Sequence, residues 1–144
     1  MDIASKLTIA KNICQKRKLL LTKDRINIYE LICQNKKPIK AYSLLEKLQK
    51  SKHNAKPPTI YRALDFLEQN GFIHKINISN SYYACNHAEE QHSCQLFICS
   101  KCYEVKEFCQ NDLIAKLDQK AKSHKFSTQN ISIEILGICI KCQS

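Results

Sequence analysis

Apolar residues recur every three or four positions in the stretch from Lys56 to Lys75, which is the spacing of one helix face. The residues of this stripe are Ile60, Ala63, Leu64 and Leu67. Tyr61 and Arg62 fall outside the stripe. The pattern therefore predicts a short helix that buries one face and exposes a Tyr–Arg pair near its N-terminus.

Both ends of this helix are marked in the sequence. Pro57 and Pro58 suit the first turn, where a missing N–H donor costs little. Thr59 is predicted to cap the free backbone donors there. Gly71 is predicted to end the helix, because glycine adopts the left-handed conformation without a steric penalty.

Three further helices are predicted before this one. They span Leu7–Leu21, a segment capped by Thr22, and Ala41–Lys50. Arg25 is expected to lie on the outer face of the second helix. The leucines of the third helix are expected to face the core. The inward residues of the second and third helices are predicted to be Ile26, Tyr29, Ile32, Cys33, Leu44, Leu45 and Leu48. Cys14 and Cys33 are expected to be small core residues.

Alternating residues after Gly71 predict a β-hairpin. Its strands would be Phe72–Ile78 and Tyr82–Cys85, with a turn at residues 79–81. Three helices, a turn and a hairpin form the pattern of a winged helix-turn-helix domain. The second helix of such a motif places its N-terminal end against base edges in the major groove. The predicted DNA contacts are Lys56, Thr59, Tyr61 and Arg62.

A second, smaller unit follows a polar hinge at residues 86–91. Two strands, Leu96–Cys99 and Glu104–Phe108, precede a helix that begins at Asn111 or Asp112 and runs to about His124. Leu113, Ile114 and Leu117 are expected to face inward, and residues 126–136 are β-rich. The predicted class is α+β, with a winged-helix domain at 1–85 and a small α/β domain at 92–144.

Composition adds a charge argument to this outline. The chain has 144 residues and a formal net charge of +10, which favours a polyanionic partner such as nucleic acid. The N-terminus shows no signal peptide and the chain no membrane span, so we expect a cytoplasmic protein with no membrane partner. Nine cysteines, an odd number, then predict thiolates and metal rather than disulfides.

Two C-x2-C pairs carry the strongest chemical signal. Cys99 and Cys102 form the first, and Cys139 and Cys142 form the second. Each pair can present two thiolates from one tight turn, and two pairs complete a tetrahedral zinc site. A unit this small would gain much of its folding free energy from the metal.

A second ligand set is weaker on pattern alone. The strand phases place His74, Cys85 and Glu107 on faces with apolar neighbours, and His92 follows the hinge. An acid on an apolar face needs a partner, and a metal ion is one. The alternatives are a hydrogen-bonded core histidine, a filler cysteine and a rim glutamate. Other candidates for any such site are His87, Cys94, Cys109 and His124.

Three stretches together resemble the zinc-sensing members of the ferric uptake regulator family. They are KPPTIYRALDFLEQNGFIHK at 56–75, the Asn-Ser-Tyr at 80–82 with Cys85, and FICSKC at 97–102. The resemblance implies a homodimeric, metal-dependent repressor that binds operator DNA through a winged helix, has a C-terminal dimerisation domain and takes no small-molecule substrate. It also implies two zinc ions per subunit. The structural ion would be held by Cys99, Cys102, Cys139 and Cys142, and the regulatory ion by His74, Cys85, His92 and Glu107.

The chain departs from the family pattern at several positions. The histidine-rich run that iron-sensing members carry before the C-x2-C pair is absent, and Asn130 replaces a common histidine. These changes argue against an iron-type site and a third metal. Glu46 keeps an acid that pairs between neighbouring dimers in some zinc regulators, but Gln49 replaces its arginine partner, which puts cooperative binding of two dimers in doubt.

Three other functions remain open from the sequence. A sibling sensor of iron, manganese, nickel or peroxide would differ in the metal that promotes DNA binding. A DNA-binding protein with structural zinc only would bind equally well with the second site empty. A zinc hydrolase is disfavoured, because a catalytic zinc keeps an open position, whereas four protein ligands are available for each proposed site.

Overall fold

The computed structural model describes residues 2–88 and 94–143. The chain divides into two compact units, Met1–Glu90 and Gln91–Ser144. The described elements of the first unit are, in chain order, α1 (Ile3–Lys16), α2 (Lys23–Gln34), α3 (Ala41–Gln49), α4 (Pro57–Gln69), β1 (Ile73–Ile76) and β2 (Ser81–Ala84).

The core of the first unit forms where the helices meet the β1–β2 hairpin. The predicted stripe of α4 is fully buried, and α2 contributes Ile28, Tyr29 and Ile32. The ring centres of Tyr29 and Phe72 lie 5.9 Å apart, which joins α2 to the residue before β1. Ile28 takes the inward position predicted for Ile26, which is only half-buried.

Helix ends agree with the sequence in part. Thr22 caps α2 as predicted, because its hydroxyl accepts the Arg25 N–H at 3.3 Å. The first helix starts and stops earlier than predicted, since Asp2 caps it by accepting the Ser5 N–H at 2.7 Å and Lys18 takes a left-handed φ of 55°. That backbone turn ends α1 before the apolar residues at 19–21.

The predicted cap at Thr59 is wrong. Lys56 is the N-cap of α4, and Thr59 lies inside the first turn, where its N–H donates to the Lys56 carbonyl at 3.0 Å. No side chain caps this end. The predicted end of the helix is confirmed, because Gly71 has a φ of +79°.

The wing is an antiparallel hairpin in which His74 lies opposite Tyr83. Its turn spans residues 77–80, with Asn80 at a φ of 51°. Ile39 pairs with Tyr82 through two backbone hydrogen bonds of 2.8 Å, which anchor the hairpin to the chain before α3.

The second unit contains β3 (Gln95–Cys99), β4 (Val105–Phe108), α5 (Asn111–Ser123), β5 (Ile133–Gly137) and a short 3-10 helix at Ile140–Cys142. Its sheet has the order β4-β3-β5, in which β4 runs antiparallel and β5 parallel to the central strand β3. The predicted α+β class is confirmed.

Helix α5 differs from its prediction. Gln110, not Asn111 or Asp112, is the N-cap, and its own side chain makes no capping hydrogen bond. None of the α5 residues is fully buried, and Leu117 is 46% exposed although it was predicted to face inward. Within the described ranges, no helix is long and apolar enough to cross a bilayer.

Candidate functional sites

The structure brings the two C-x2-C pairs together at one end of the second unit. Cys99 ends β3, and Cys102 lies in the turn before β4. Cys139 immediately precedes the short 3-10 helix, and Cys142 is its last residue. Parallel pairing of β3 with β5 sets Cys99 opposite Gly137, two residues before Cys139. Pairing of these strands is therefore what joins the first pair to the second.

The four sulfur atoms fit a tetrahedral metal ion. All of them lie within 4.8 Å of one another, and the Cys102 and Cys139 sulfurs are 3.7 Å apart. Zinc–sulfur bonds of about 2.3 Å in a tetrahedron place sulfur atoms about 3.8 Å apart. The observed spacing matches that value, so the residues present suit zinc.

Backbone donors already favour thiolate character at this site. The Cys139 N–H lies 3.4 Å from the Cys99 sulfur. Backbone N–H groups of Cys102 and Cys139 lower the pKa of the Cys99 thiol to about 6. Hydrogen bonding with Cys139 and burial instead raise the pKa of Cys142 to about 12. Crowded sulfurs cannot all ionise without a cation, and a metal ion would supply the missing charge.

Two lysines border the cysteine cluster. Lys101 donates from Nζ to the Cys142 carbonyl at 3.2 Å, and Lys141 lies 3.9 Å from Glu104. Four thiolates around Zn²⁺ would carry a net charge of −2. Nearby ammonium groups would partly offset that charge.

Two residues of the predicted second ligand set lie together in the first unit. His74 is on β1, Cys85 directly follows β2, and their ligand atoms lie within 4.8 Å of each other. Cys85 is buried, and its sulfur accepts the His87 N–H at 3.2 Å. The His74 ring also lies 5.4 Å from the Tyr83 ring. A histidine nitrogen and a sulfur this close can share one cation.

The other two members of that set belong to the second unit. Glu107 is half-buried on β4, opposite Leu96 on β3. His92 lies outside the described residues. Among the alternative candidates, His87 and His124 are exposed.

Cys94 and Cys109 form a disulfide. The prediction that the cysteines are thiolates rather than disulfides is therefore wrong for this pair. The cause is strand register, because β3 and β4 place the two residues opposite each other at the open end of their hairpin. Cys14 is buried and Cys33 packs against the core, which confirms both as core residues.

The N-terminal end of α4 presents the predicted nucleic-acid contacts. Tyr61 is 53% exposed, and Arg62 and Lys56 are exposed as well, whereas Thr59 is half-buried. No acidic residue lies in the first turn. The positive end of the helix dipole therefore adds to the charges of Lys56 and Arg62.

Three side chains from outside α4 hold this helix in place through contacts that were not predicted from the sequence. Arg17 donates to the Asn70 carbonyl at its C-terminal end at 3.3 Å. Gln49 donates to the Ala55 carbonyl at 2.9 Å, just before the helix begins. Arg25, predicted to point outward, is half-buried over the Phe66 ring. The Gln49 amide thus has a structural role inside the chain.

Comparison with known proteins identifies the family of the chain. The sequence matches the ferric uptake regulator family over residues 16–136. The zinc uptake regulation protein of Escherichia coli (strain K12) is 37% identical over 137 residues, covering 94% of this chain and 80% of that protein. The chain belongs to the ferric uptake regulator family.

Solved structures of this family agree with the assignment. A zinc uptake regulator complexed with zinc and DNA matches with a TM-score of 0.93 at 36% identity, covering 99% of this chain and 95% of that one. The holo form of XcZur matches with a TM-score of 0.88 at 39% identity, covering 96% of each chain. Membership of the ferric uptake regulator family makes the chain a transcription regulator rather than an enzyme, as the sequence predicted.

Proposed function

We propose that this chain is a zinc-responsive transcriptional repressor that binds operator DNA as a zinc-loaded homodimer and controls zinc uptake genes. Residues 1–85 would bind DNA, residues 86–91 would act as a hinge, and residues 92–144 would dimerise and hold structural zinc, in the cytoplasm. One observation carries the proposal: the unit that exposes Tyr61 and Arg62 also holds His74 and Cys85 within ligand distance.

The distribution of charge supports DNA binding by the first unit. Residues 1–90 contain 16 Lys and Arg against 8 Asp and Glu, whereas residues 91–144 contain 7 against 5. Most of the excess positive charge therefore lies on the unit that carries α4. Phosphate neutralisation by such a unit supplies affinity that falls with added salt. Arg62 and Tyr61 would then supply contacts to base edges.

Two zinc ions of different character would suit the two roles. The structural ion would be held by the four cysteines that already lie within 4.8 Å of one another. The regulatory ion would be held by His74, Cys85, His92 and Glu107. Two neutral imidazoles, one thiolate and one carboxylate balance Zn²⁺ to a net charge of zero. Fewer thiolates give a weaker and more exchangeable site, which a sensor needs.

Exposed apolar residues on the second unit support dimerisation. Phe97 and Ile135 lie opposite each other in the β3–β5 register and are 47% and 42% exposed. Ile138 and Ile140 extend this surface and are 38% and 78% exposed. Together the four residues line an open cavity of about 250 Å³. A contiguous apolar surface of this kind is typical of a symmetric interface between two copies.

Zinc would regulate the protein by changing which conformations are populated. A dimer must present its two recognition helices at a spacing that fits successive major-groove faces. A ligand shifts such an equilibrium only by its differential affinity for the competent state. If the regulatory ligands come from both units, the conformation that binds the operator would also be the conformation that binds zinc most tightly.

The test is operator affinity at buffered free zinc for wild type and for Cys85→Ser. We expect the variant to remain a folded dimer with its structural zinc, and to lose the rise in operator affinity with free zinc. Non-specific binding should remain. Cys33→Ser is the matched control, because it removes a half-buried cysteine of the same unit that is not a predicted ligand.

Three outcomes would each contradict part of the proposal. A full zinc response in Cys85→Ser would exclude Cys85 as a regulatory ligand. Wild-type binding that ignores free zinc would indicate structural zinc alone. A response to iron or manganese but not zinc would indicate a sibling sensor.

A further inference from the structure

The Cys94–Cys109 disulfide closes the open end of the β3–β4 hairpin. Cys94 immediately precedes β3 and Cys109 immediately follows β4. The register pairs Gln95 with Phe108, so the next opposed pair is Cys94 with Cys109, and their Cα atoms are 4.3 Å apart. Their separation in sequence is 15 residues. The bond is thus the last rung of the ladder.

The next rung on the same face of the hairpin contains a proposed zinc ligand. Side chains two apart on a strand share a face, so Cys109 shares one with Glu107, and Cys94 shares it with Leu96. Leu96 and Glu107 are opposed across the two strands. The disulfide therefore fixes the strand end that positions the Glu107 carboxylate.

One buried hydrogen bond accompanies the disulfide at this end. Gln95 is fully buried, and its side-chain oxygen accepts the Gln110 N–H at 3.0 Å. Gln110 caps α5, so this bond links the start of β3 to the start of the helix. Breaking the disulfide would leave this bond in place. Reduction is therefore expected to loosen the strand end rather than unfold the unit.

We propose that Cys94 and Cys109 form a reversible redox switch that sets the affinity of the regulatory zinc site. This inference rests on the proposed function, because it assumes that Glu107 is a zinc ligand. The disulfide form would hold Glu107 in place and bind zinc more tightly. The dithiol form would leave the carboxylate less well positioned and bind zinc more weakly.

The chemistry is thiol–disulfide exchange with a small-molecule thiol pool. In reduction, one small thiolate attacks a sulfur of the Cys94–Cys109 bond and forms a mixed disulfide while the other cysteine leaves as a thiolate. A second small thiolate then attacks the mixed disulfide and releases a small-molecule disulfide. Two electrons and two protons pass to the protein. Both cysteines are half-buried, so small thiols can reach them.

The proposed cytoplasmic location makes the Cys94–Cys109 disulfide a candidate redox switch. Disulfides are rare in the cytosol, where those that occur are mostly transient, catalytic or redox-sensing. In the four-cysteine cluster, a bound zinc ion would hold the thiolates and so protect them from oxidation to disulfides. Cys94 and Cys109 are not proposed zinc ligands, so no metal would protect them. Their oxidation state would therefore follow the redox potential of the thiol pool.

The experiment compares zinc binding by the full chain, loaded with one equivalent of zinc, in two redox states. One sample is equilibrated with glutathione disulfide and the other with reduced glutathione. Both are desalted anaerobically, and mass spectrometry checks the Cys94–Cys109 bond. Affinity for the second zinc is then measured against a zinc buffer. We expect the reduced protein to bind the second zinc roughly tenfold more weakly, as when a metal ligand loses the neighbouring groups that orient it.

The double variant Cys94→Ala/Cys109→Ala is the matched control. It should bind the second zinc like the reduced wild type and ignore the redox treatment. A response of this variant would trace the effect to the four-cysteine cluster and overturn the proposal. Tighter binding by the reduced wild type than by the variant would also overturn it, because the freed thiolates would then be ligands themselves.

Three remaining outcomes separate this inference from the proposed function. If the second zinc binds equally in both redox states, the switch is wrong and the proposed function stands. If no second zinc binds in either state, both are wrong. Failure to form the Cys94–Cys109 bond at any glutathione ratio would overturn the switch alone.

Discussion

The guanidinium of Arg25 lies 3.9 Å from the centre of the Phe66 ring. Arg25 is on α2 and Phe66 is on α4, so the contact joins the second helix to the helix proposed to enter the major groove. The Arg25 guanidinium also donates a hydrogen bond to the Leu20 carbonyl, in the segment between α1 and α2. One side chain thus positions α4 against two other parts of the unit.

We expect Arg25→Ala to lower the unfolding free energy of the first unit by about 1–2 kcal/mol. The loss combines a partly desolvated cation–π contact with a charged hydrogen bond. Urea denaturation followed by helical circular dichroism measures this change. Lys23→Ala is the control, because it removes an exposed charge from the same end of α2. An equal loss in both variants would show that charge, and not the ring contact, matters.

Arg62→Ala should cost operator binding about 1–3 kcal/mol and reduce discrimination between operator and random DNA, as for a lost base contact. Lys56→Ala should instead weaken binding to all sequences and reduce its salt dependence, as for a lost phosphate contact. Affinities for both DNAs at several salt concentrations separate these effects. Unchanged discrimination in Arg62→Ala would remove that residue from the proposed base contacts.

Cys142→Ser should lower the zinc content of the purified protein and destabilise the second unit. Loss of a structural zinc ligand removes folding free energy, because metal binding is coupled to folding. Zinc analysis and thermal unfolding of Cys142→Ser measure both effects, with Cys33→Ser as the control. A stable protein that retains all its zinc would contradict the structural assignment.

Ile135→Asp should shift the protein from dimer to monomer at micromolar concentration. A carboxylate in an apolar interface loses its hydration without gaining a partner. Light scattering after size exclusion gives the mass, and zinc content verifies that the cysteine cluster survives. Gln119→Asp introduces the same charge at an exposed position of α5 as a control. A dimeric Ile135→Asp would exclude this face from the interface.

The sequence predicted α4 well because its information is local. A 3.6-residue stripe, two prolines and a glycine fix the bounds of a helix regardless of what it packs against. The prediction of Thr59 as a cap was wrong because Pro57 and Pro58 both lie inside the helix, which begins at Pro57 and has Lys56 as its N-cap. The C-x2-C pairs were also identified locally, although only the β3–β5 pairing brings them together.

The features that the sequence missed depend on contacts between distant segments. Strand register decides that Cys94 meets Cys109, and no pattern in either segment alone specifies that register. Arg25 was assigned to the outer face because its partner, Phe66, lies on another helix. Leu117 has the spacing of a core residue, yet the described residues of one chain leave it 46% exposed, which sequence periodicity cannot reveal.

The cysteine cluster joins two segments of the second unit that are far apart in the sequence. Cys99 and Cys139 are separated by 40 positions, and β3 pairs with β5 only after the chain between them has closed on itself. Such non-local parallel pairing is slow, because loop-closure entropy is lost before contacts compensate for it. Zinc captured first by Cys99 and Cys102 would leave two coordination positions for the later pair. Metal supply would then control the rate at which newly made chains mature, in addition to their stability.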